Sequence, residues 1–159
     1  MLWIEAVRTL SADLEDPFEL EFVWRNLHEL DKLSWLNLMR EKITDQELKL
    51  LTEVSERLHQ NEPPQYIVGW AEFRDLKLKV DERVLIPRPE TEELVEMILA
   101  ENENDSLKIL DIGTGSGAIA ISLAQARENW SVKASDISKE ALTLAAENAE
   151  INQANLEFI

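Results

Sequence analysis

An α/β architecture preceded by a small helical bundle is what these 159 residues predict, and three observations carry it. Residues 1 to about 60 contain no glycine and a single proline, Pro17, with apolar side chains at helical spacing. Residues 73–80 then switch to the alternation of a strand. From Leu107 onward short apolar runs alternate with helix-like runs. That rhythm means a parallel sheet with right-handed crossovers.

Each element has its own signal. Asp16-Pro17-Phe18-Glu19 supplies an N-cap, a proline for the first helical position and a glutamate able to close a capping box. Thr44-Asp45-Gln46-Glu47 repeats the box ahead of a helix whose Leu48, Leu51, Val54 and Leu58 share one face. Phe22, Val23, Leu27 and Leu30, then Leu33, Leu36 and Leu38, form further apolar stripes. The spacing predicts four or five helices over residues 1–62, with Trp3, Trp24 and Trp35 in their core. Such a bundle has no chemistry of its own, so its expected role is to recognise a partner or brace the remainder.

Asn61-Glu62-Pro63-Pro64 ends the helical texture. Residues 63–90 read as a linker with a β-hairpin: residues 73–80 run out, Asp81-Glu82-Arg83 turn, and Val84-Leu85-Ile86 return. Pro87 and Pro89 stop the return strand, and Tyr66 and Trp70 read as packing residues. Residues 91–159 begin with a helix at Thr91, followed by a strand over 107–110, a helix over 117–127 and a strand over 131–134. Ser138 caps a helix to about Ile151, and residues 156–159 start a third strand.

Composition narrows the function classes. Net charge is −16, from 32 acidic against 16 basic residues, and such a surface repels phosphate backbones. Direct nucleic-acid binding is therefore not expected. No apolar run approaches the ~20 residues that span a bilayer, so no membrane partner is expected either. The opening MLWIEAVRTL lacks the basic start and apolar stretch of a secretory signal, and a cytoplasmic address is the expectation. Cysteine is absent, which excludes disulfides and a thiol nucleophile. His28 and His59 stand apart in helical stretches, read as surface residues, and no metal site is expected.

The chemistry-bearing stretch is KILDIGTGSGAIAISLA, with Gly113, Gly115 and Gly117 between a strand and a helix. Ligands of open α/β sheets bind at the carboxyl ends of strands, where glycines allow close backbone approach. A phosphate-cradling P-loop would need Gly-Lys-[Ser/Thr]; here Ala118 comes after Gly117, and that reading falls. Gly113, Gly115 and Ala118 literally satisfy a dinucleotide fingerprint, and Asp136 could clamp a ribose. Two features favour S-adenosylmethionine instead. Asp111, two residues before the first glycine, suits an ammonium group and disfavours a pyrophosphate. The full pattern D-x-G-x-G-x-G is the common S-adenosylmethionine loop, with Asp136 placed to accept both ribose hydroxyls. Thr114 and Ser116 read mainly as sources of backbone amides.

A more specific pattern lies upstream: Pro64-x-Tyr66-Ile67-x-Gly69, then Phe73 and Leu76, then Ile86-Pro87-Arg88-Pro89-Glu90-Thr91-Glu92. With the glycine loop and Asp136, the stretch from about Pro63 onward resembles the bacterial peptide chain release factor glutamine methyltransferases, the HemK/PrmC family. The resemblance implies a Rossmann-like, S-adenosylmethionine-dependent methyltransferase domain behind a helical recognition domain. It implies methyl transfer to the side-chain amide of the glutamine in the Gly-Gly-Gln motif of translation release factors, which would be the partners. It also places Arg88 and Thr91 near the cofactor's carboxylate, against the plainer reading of Arg88 as a brace and Thr91 as a helix cap.

One departure matters. The family orients its glutamine with Asn-Pro-Pro-Tyr, and this sequence holds only Pro63-Pro64 between Glu62 and Gln65. No catalytic residue is therefore assigned here. The motif is expected beyond Ile159, the sheet is expected to be a truncated front half, and the chain alone is expected to be inactive. Alternatives are a glutamine methyltransferase of a ribosomal protein, or a non-catalytic remnant that binds cofactor or partner. An adenine-directed nucleic-acid methyltransferase is disfavoured by the charge.

Overall fold

The computed structural model describes residues 1–103 and 106–159, and the chain divides into two compact units, Met1–Val68 and Gly69–Ile159.

The first unit is a bundle of α1 (Trp3–Ser11), α2 (Phe18–Leu27), α3 (Lys32–Leu38), α4 (Asp45–His59) and the short α5 (Pro64–Val68). Its core closes around aromatic rings: Trp3 lies 5.1 Å from Trp24 and 6.3 Å from Trp35, centroid to centroid. Leu20, Val23, Leu51, Val54 and Leu58 fill the rest. Thr44 and Glu47 form the reciprocal box that starts α4, satisfying amides no helix can satisfy internally. Asp16 Oδ1 accepts from the Phe18 amide at 2.9 Å, but Pro17 rather than Asp16 is the N-cap of α2 and no capping box forms at Glu19. Two of the expected stripes are corrected. α3 is a single short helix that turns Trp35 inward, which leaves Leu33 and Leu36 mostly exposed. Phe22 and Leu27 are also exposed in part, and Leu20, Val23 and Trp24 carry the burial of α2. His28 and His59 lie on the surface, the His28 ring tilted against that of Trp24 with centroids 4.2 Å apart.

The second unit contains a hairpin, β1 (Trp70–Phe73) and β2 (Leu76–Lys79), then α6 (Pro89–Glu101), β3 (Lys108–Ile112), α7 (Ala118–Ala126), β4 (Ser131–Ser135), α8 (Lys139–Ile151) and β5 (Glu157–Phe158). Its sheet has the order β3-β4-β5, parallel throughout, with Ile112 paired to Ser135 and Lys133 to Glu157. Phe73, Leu76 and Leu78 of the hairpin join Val95, Ile121 and Val132 in one core.

The hairpin is not the one the alternation suggested. Its turn is Arg74-Asp75, with Phe73 paired to Leu76 and Arg74 at φ +52°. A two-residue turn without glycine or asparagine, with Asp75 alone to mark it, leaves only a weak sequence signal. Residues 84–86 form no strand. Asp81 does turn the chain, its carboxylate accepting from the Arg83 amide at 3.0 Å and its carbonyl from the Val84 amide at 3.1 Å, and the segment beyond runs to Pro89 without joining a strand. α6 starts at Pro89 rather than Thr91, because proline's fixed φ suits the first helical position and Arg88 stays extended before it.

Candidate functional site

β3 and β4 lie side by side in register and end together, so the loops leaving the two strands meet at one carboxyl edge. From β3 come Asp111 and the loop of Gly113, Thr114, Gly115, Ser116 and Gly117; from β4 comes Asp136. The loop folds back onto the end of β4. The amides of Gly113 and Thr114 both donate to the Ser135 carbonyl, at 2.8 and 2.9 Å. The Gly115 amide donates to Asp136 Oδ2 at 2.9 Å, and the Ser138 amide to Oδ1 at 2.9 Å. The Gly117 amide donates to the Thr114 carbonyl at 2.9 Å. Asp136 is thus a staple between the two strand ends, while Ser138 Oγ caps α8 by accepting from Ala141.

This geometry corrects the reading of Thr114 as an amide donor. Its amide is turned into the sheet, and its buried hydroxyl donates to Asp111 Oδ2 at 2.8 Å, orienting that carboxylate. Ser116 is buried as well, and its carbonyl accepts from Asn148 Nδ2 at 2.9 Å.

The spent amides decide which ligands suit the loop. Phosphate groups are held by backbone amides aimed outward. Here the amides of Gly113, Thr114, Gly115 and Gly117 are all consumed within the fold. In their place the edge offers a pair of carboxylates. A carboxylate has about four acceptor positions, and the staple uses two of those on Asp136. The glycines differ too. A Cβ at Gly113 or Gly115 would meet nothing within 4 Å, so open space borders both. At Gly117 it would lie 2.9 Å from Ile121 Cδ1 and 3.4 Å from Ala145 Cβ, so Gly117 is packed against helices. The edge accommodates a cationic, hydroxyl-rich ligand and is poorly made for a pyrophosphate. S-adenosylmethionine, with an ammonium, a sulfonium and a ribose diol, fits it.

Asp111, the loop and Asp136 come together as the sequence suggests; Arg88 and Thr91 are not part of that hydrogen-bonded group. They sit at the start of α6, Arg88 exposed, and neither side chain bonds to the loop among the described residues. Asn148 was missed. One signal pointed to it: it occupies the apolar stripe of α8, in line with Ala141, Leu144 and Ala145. A separate recess of about 580 Å³ in the helical unit is lined by Asp13, Glu15, Asp16, Glu19 and Glu62 with His59, and it shares no residue with the glycine loop.

A parallel sheet with this loop between its first strand and helix defines the class: a methyltransferase domain of Rossmann-like fold, whose cofactor is S-adenosylmethionine. Residues 90–159 match the methyltransferase small domain, and residues 2–69 match the PrmC N-terminal domain. The chain is 98% identical, over its whole length, to a release factor glutamine methyltransferase of Lactococcus lactis subsp. lactis, of which it covers 59%. Over 86% of its length it is 53% identical to the release factor glutamine methyltransferase of Streptococcus pneumoniae, of which the match covers 49%. The chain matches the N-terminal part of the release factor glutamine methyltransferases, the HemK/PrmC family. Among solved structures it is similar to the Pyrococcus abyssi tRNA (uracil-54, C5)-methyltransferase in complex with S-adenosyl-L-homocysteine. That match has 24% identity and a TM-score of 0.46, over 57% of this chain and 22% of the other.

Proposed function

We propose that this chain supplies the cofactor-holding edge and the recognition bundle of an enzyme that methylates the glutamine of the Gly-Gly-Gln motif in release factors. One observation carries the cofactor part of the reading: two carboxylates, Asp111 and Asp136, converge on a glycine loop in which the amides of Gly113, Thr114, Gly115 and Gly117 are already spent. Asp136 accepts the ribose hydroxyls through its remaining lone pairs, and Asp111, aimed by Thr114, receives the ammonium group. Gly113 and Gly115 give the cofactor's body room to lie against the backbone. Arg88 and Thr91 serve the cofactor's carboxylate. When bound, the cofactor supplies an electrophilic methyl group; the chain's own residues bind and orient it.

The matching relatives carry the release-factor part of the reading in their names. The helical unit, residues 1–62 in the sequence division, recognises the release factor, and residues 63–90 lead into the cofactor domain of 91–159. A substrate that works on the ribosome implies a cytoplasmic site of action. No described helix is long and apolar enough to cross a membrane. The sequence holds no Asn-Pro-Pro-Tyr, so these 159 residues alone give no turnover. Detectable methylation of a Gly-Gly-Gln peptide by them would refute that part.

Calorimetric titration with S-adenosylhomocysteine tests the cofactor assignment. Saturable binding is expected, with none for NADH under the same conditions. Replacing Asp136 by Ala removes charge-assisted hydrogen bonds and lowers affinity by about tenfold or more. Binding of NADH in place of S-adenosylhomocysteine would overturn the assignment.

A further inference from the structure

Asn148 is fully buried on α8, among Ala141, Leu144, Ala145 and Ala149. A carboxamide in such a place persists only if its donors and acceptor are satisfied. All are. The Lys79 amide donates to Asn148 Oδ1 at 2.6 Å. Asn148 Nδ2 donates to the Lys79 carbonyl at 3.0 Å and to the Ser116 carbonyl at 2.9 Å. The network fixes which atom is oxygen, because only Oδ1 can receive an N–H and only Nδ2 can serve two carbonyls. The side chain thus reads both backbone groups at the end of β2 and, with its other proton, the last turn of the glycine loop.

We propose that Asn148 is a positioning residue for the cofactor loop, setting the place of Ser116 and Gly117 from the end of the hairpin. The proposal rests on the reading of that loop as the cofactor site. Other contacts from α8 to the hairpin do not reach the loop. Asn152 Nδ2, one turn further on, donates to the Lys77 carbonyl at 3.0 Å, and Glu147 pairs with Lys79 Nζ at 2.6 Å. They brace the hairpin on the helix, whereas Asn148 alone in this row bridges to the loop. With the Ser116 carbonyl released, Gly117 at φ +84° loses the anchor of its preceding peptide.

The same row supplies the control. Asn148→Asp keeps shape and acceptor but sets a carboxylate against two carbonyls; Asn148→Ser is the smaller, neutral companion should that variant fail to fold. Asn152→Ala, at the C-cap of α8, removes the hairpin contact and a bond to the Asn148 carbonyl, neither of which involves the loop. In variants confirmed folded by near-ultraviolet circular dichroism, the Asn148 changes are expected to weaken S-adenosylhomocysteine binding about tenfold, and Asn152→Ala less than about twofold. The second readout needs no ligand: amide hydrogen exchange at Gly115 and Gly117 accelerates in the Asn148 variants and stays unchanged in Asn152→Ala. If S-adenosylhomocysteine fails to bind the unaltered chain, the cofactor reading falls and the exchange pattern alone decides on Asn148. Unchanged loop exchange in the Asn148 variants, or equal loss of binding in Asn152→Ala, overturns the proposal.

Discussion

In the helical unit, Trp3, Trp24 and Trp35 meet edge to face and tilted, and the buried polar residues there are Ser11 and Ser55. Ser55 settles its hydroxyl locally, donating to the Leu10 carbonyl at 2.7 Å. In the α/β unit, Thr114, Ser116 and Asn148 are buried together where β3 and β4 end, and each is tied to a group of the candidate site. Apolar packing tolerates adjustment, since one shape of hydrocarbon can replace another. Buried hydrogen bonds do not, because each fixes two atoms and an unmade one is costly. The first unit is organised to be stable and to present a surface. The second holds particular atoms in particular places.

The contrast predicts what breaks each unit. Trp3→Ala, at a ring 1% exposed, should have the largest effect on stability, about 3–5 kcal/mol by urea denaturation. A loss below about 1.5 kcal/mol would mean that the indoles are not the centre of that core. In the α/β unit the sharper test is the difference between two glycines. Gly117→Ala forces a side chain into φ +84° and within 2.9 Å of Ile121 Cδ1, a cost of about 2 kcal/mol. Gly115→Ala carries comparable backbone strain at φ +55° but borders open space, so its larger effect should fall on S-adenosylhomocysteine affinity. Equal affinity losses in the two variants would contradict the division into a packed and a ligand-facing glycine. Thr114→Val should cost about 1 kcal/mol in thermal stability and weaken cofactor binding a few-fold by freeing Asp111. Unaltered binding would reduce that hydroxyl to a structural detail.

Legibility in the sequence tracks the same contrast. The capping box at Thr44, the helices and the order of strands in the second unit were readable, because periodicity and caps are local. The placement of the loop, Asp111 and Asp136 at neighbouring strand ends was readable because a glycine-rich strand-to-helix turn marks the carboxyl edge of a parallel sheet. The hairpin is not legible because its positive-φ position is held by Arg74, and the lone Asp75 is a weak signal without the glycine that marks a two-residue turn. Leu33 and Leu36 were overvalued because spacing does not say how many faces a seven-residue helix can bury. Asn148 was overlooked because its partners are backbone groups distant in sequence, at Lys79 and Ser116, and no pattern of residue types marks those.

The smallest expected effect separates the two units by sign. Asp81 is held below the ordinary carboxylate range, first by the hydrogen bond from the Arg83 guanidinium, whose Nη2 lies 2.7 Å from Oδ2. Its folded pKa is below its unfolded one, about 3.9, so its contribution is present above that value and is lost as pH falls through the folded pKa. Glu19 of the helical unit goes the other way. Burial first, then the charges of Asp16 and Glu15, raise its pKa. A raised carboxylate pKa means that its charged form opposes folding, and the opposition is relieved as pH falls through that folded value. Asp81→Asn should therefore lower the stability of the α/β unit slightly at neutral pH, and Glu19→Gln should raise that of the helical unit. Both differences should vanish in acid, where wild type and variant are alike uncharged. Both groups are partly solvated, so added salt should shrink each effect. Amide exchange in α8 and in α2, tracked from neutral to acidic pH, reads the units separately. A loss of stability in Glu19→Gln would show that burial and the neighbouring carboxylates do not oppose the Glu19 charge, and a gain in Asp81→Asn that the Arg83 hydrogen bond does not favour the Asp81 charge.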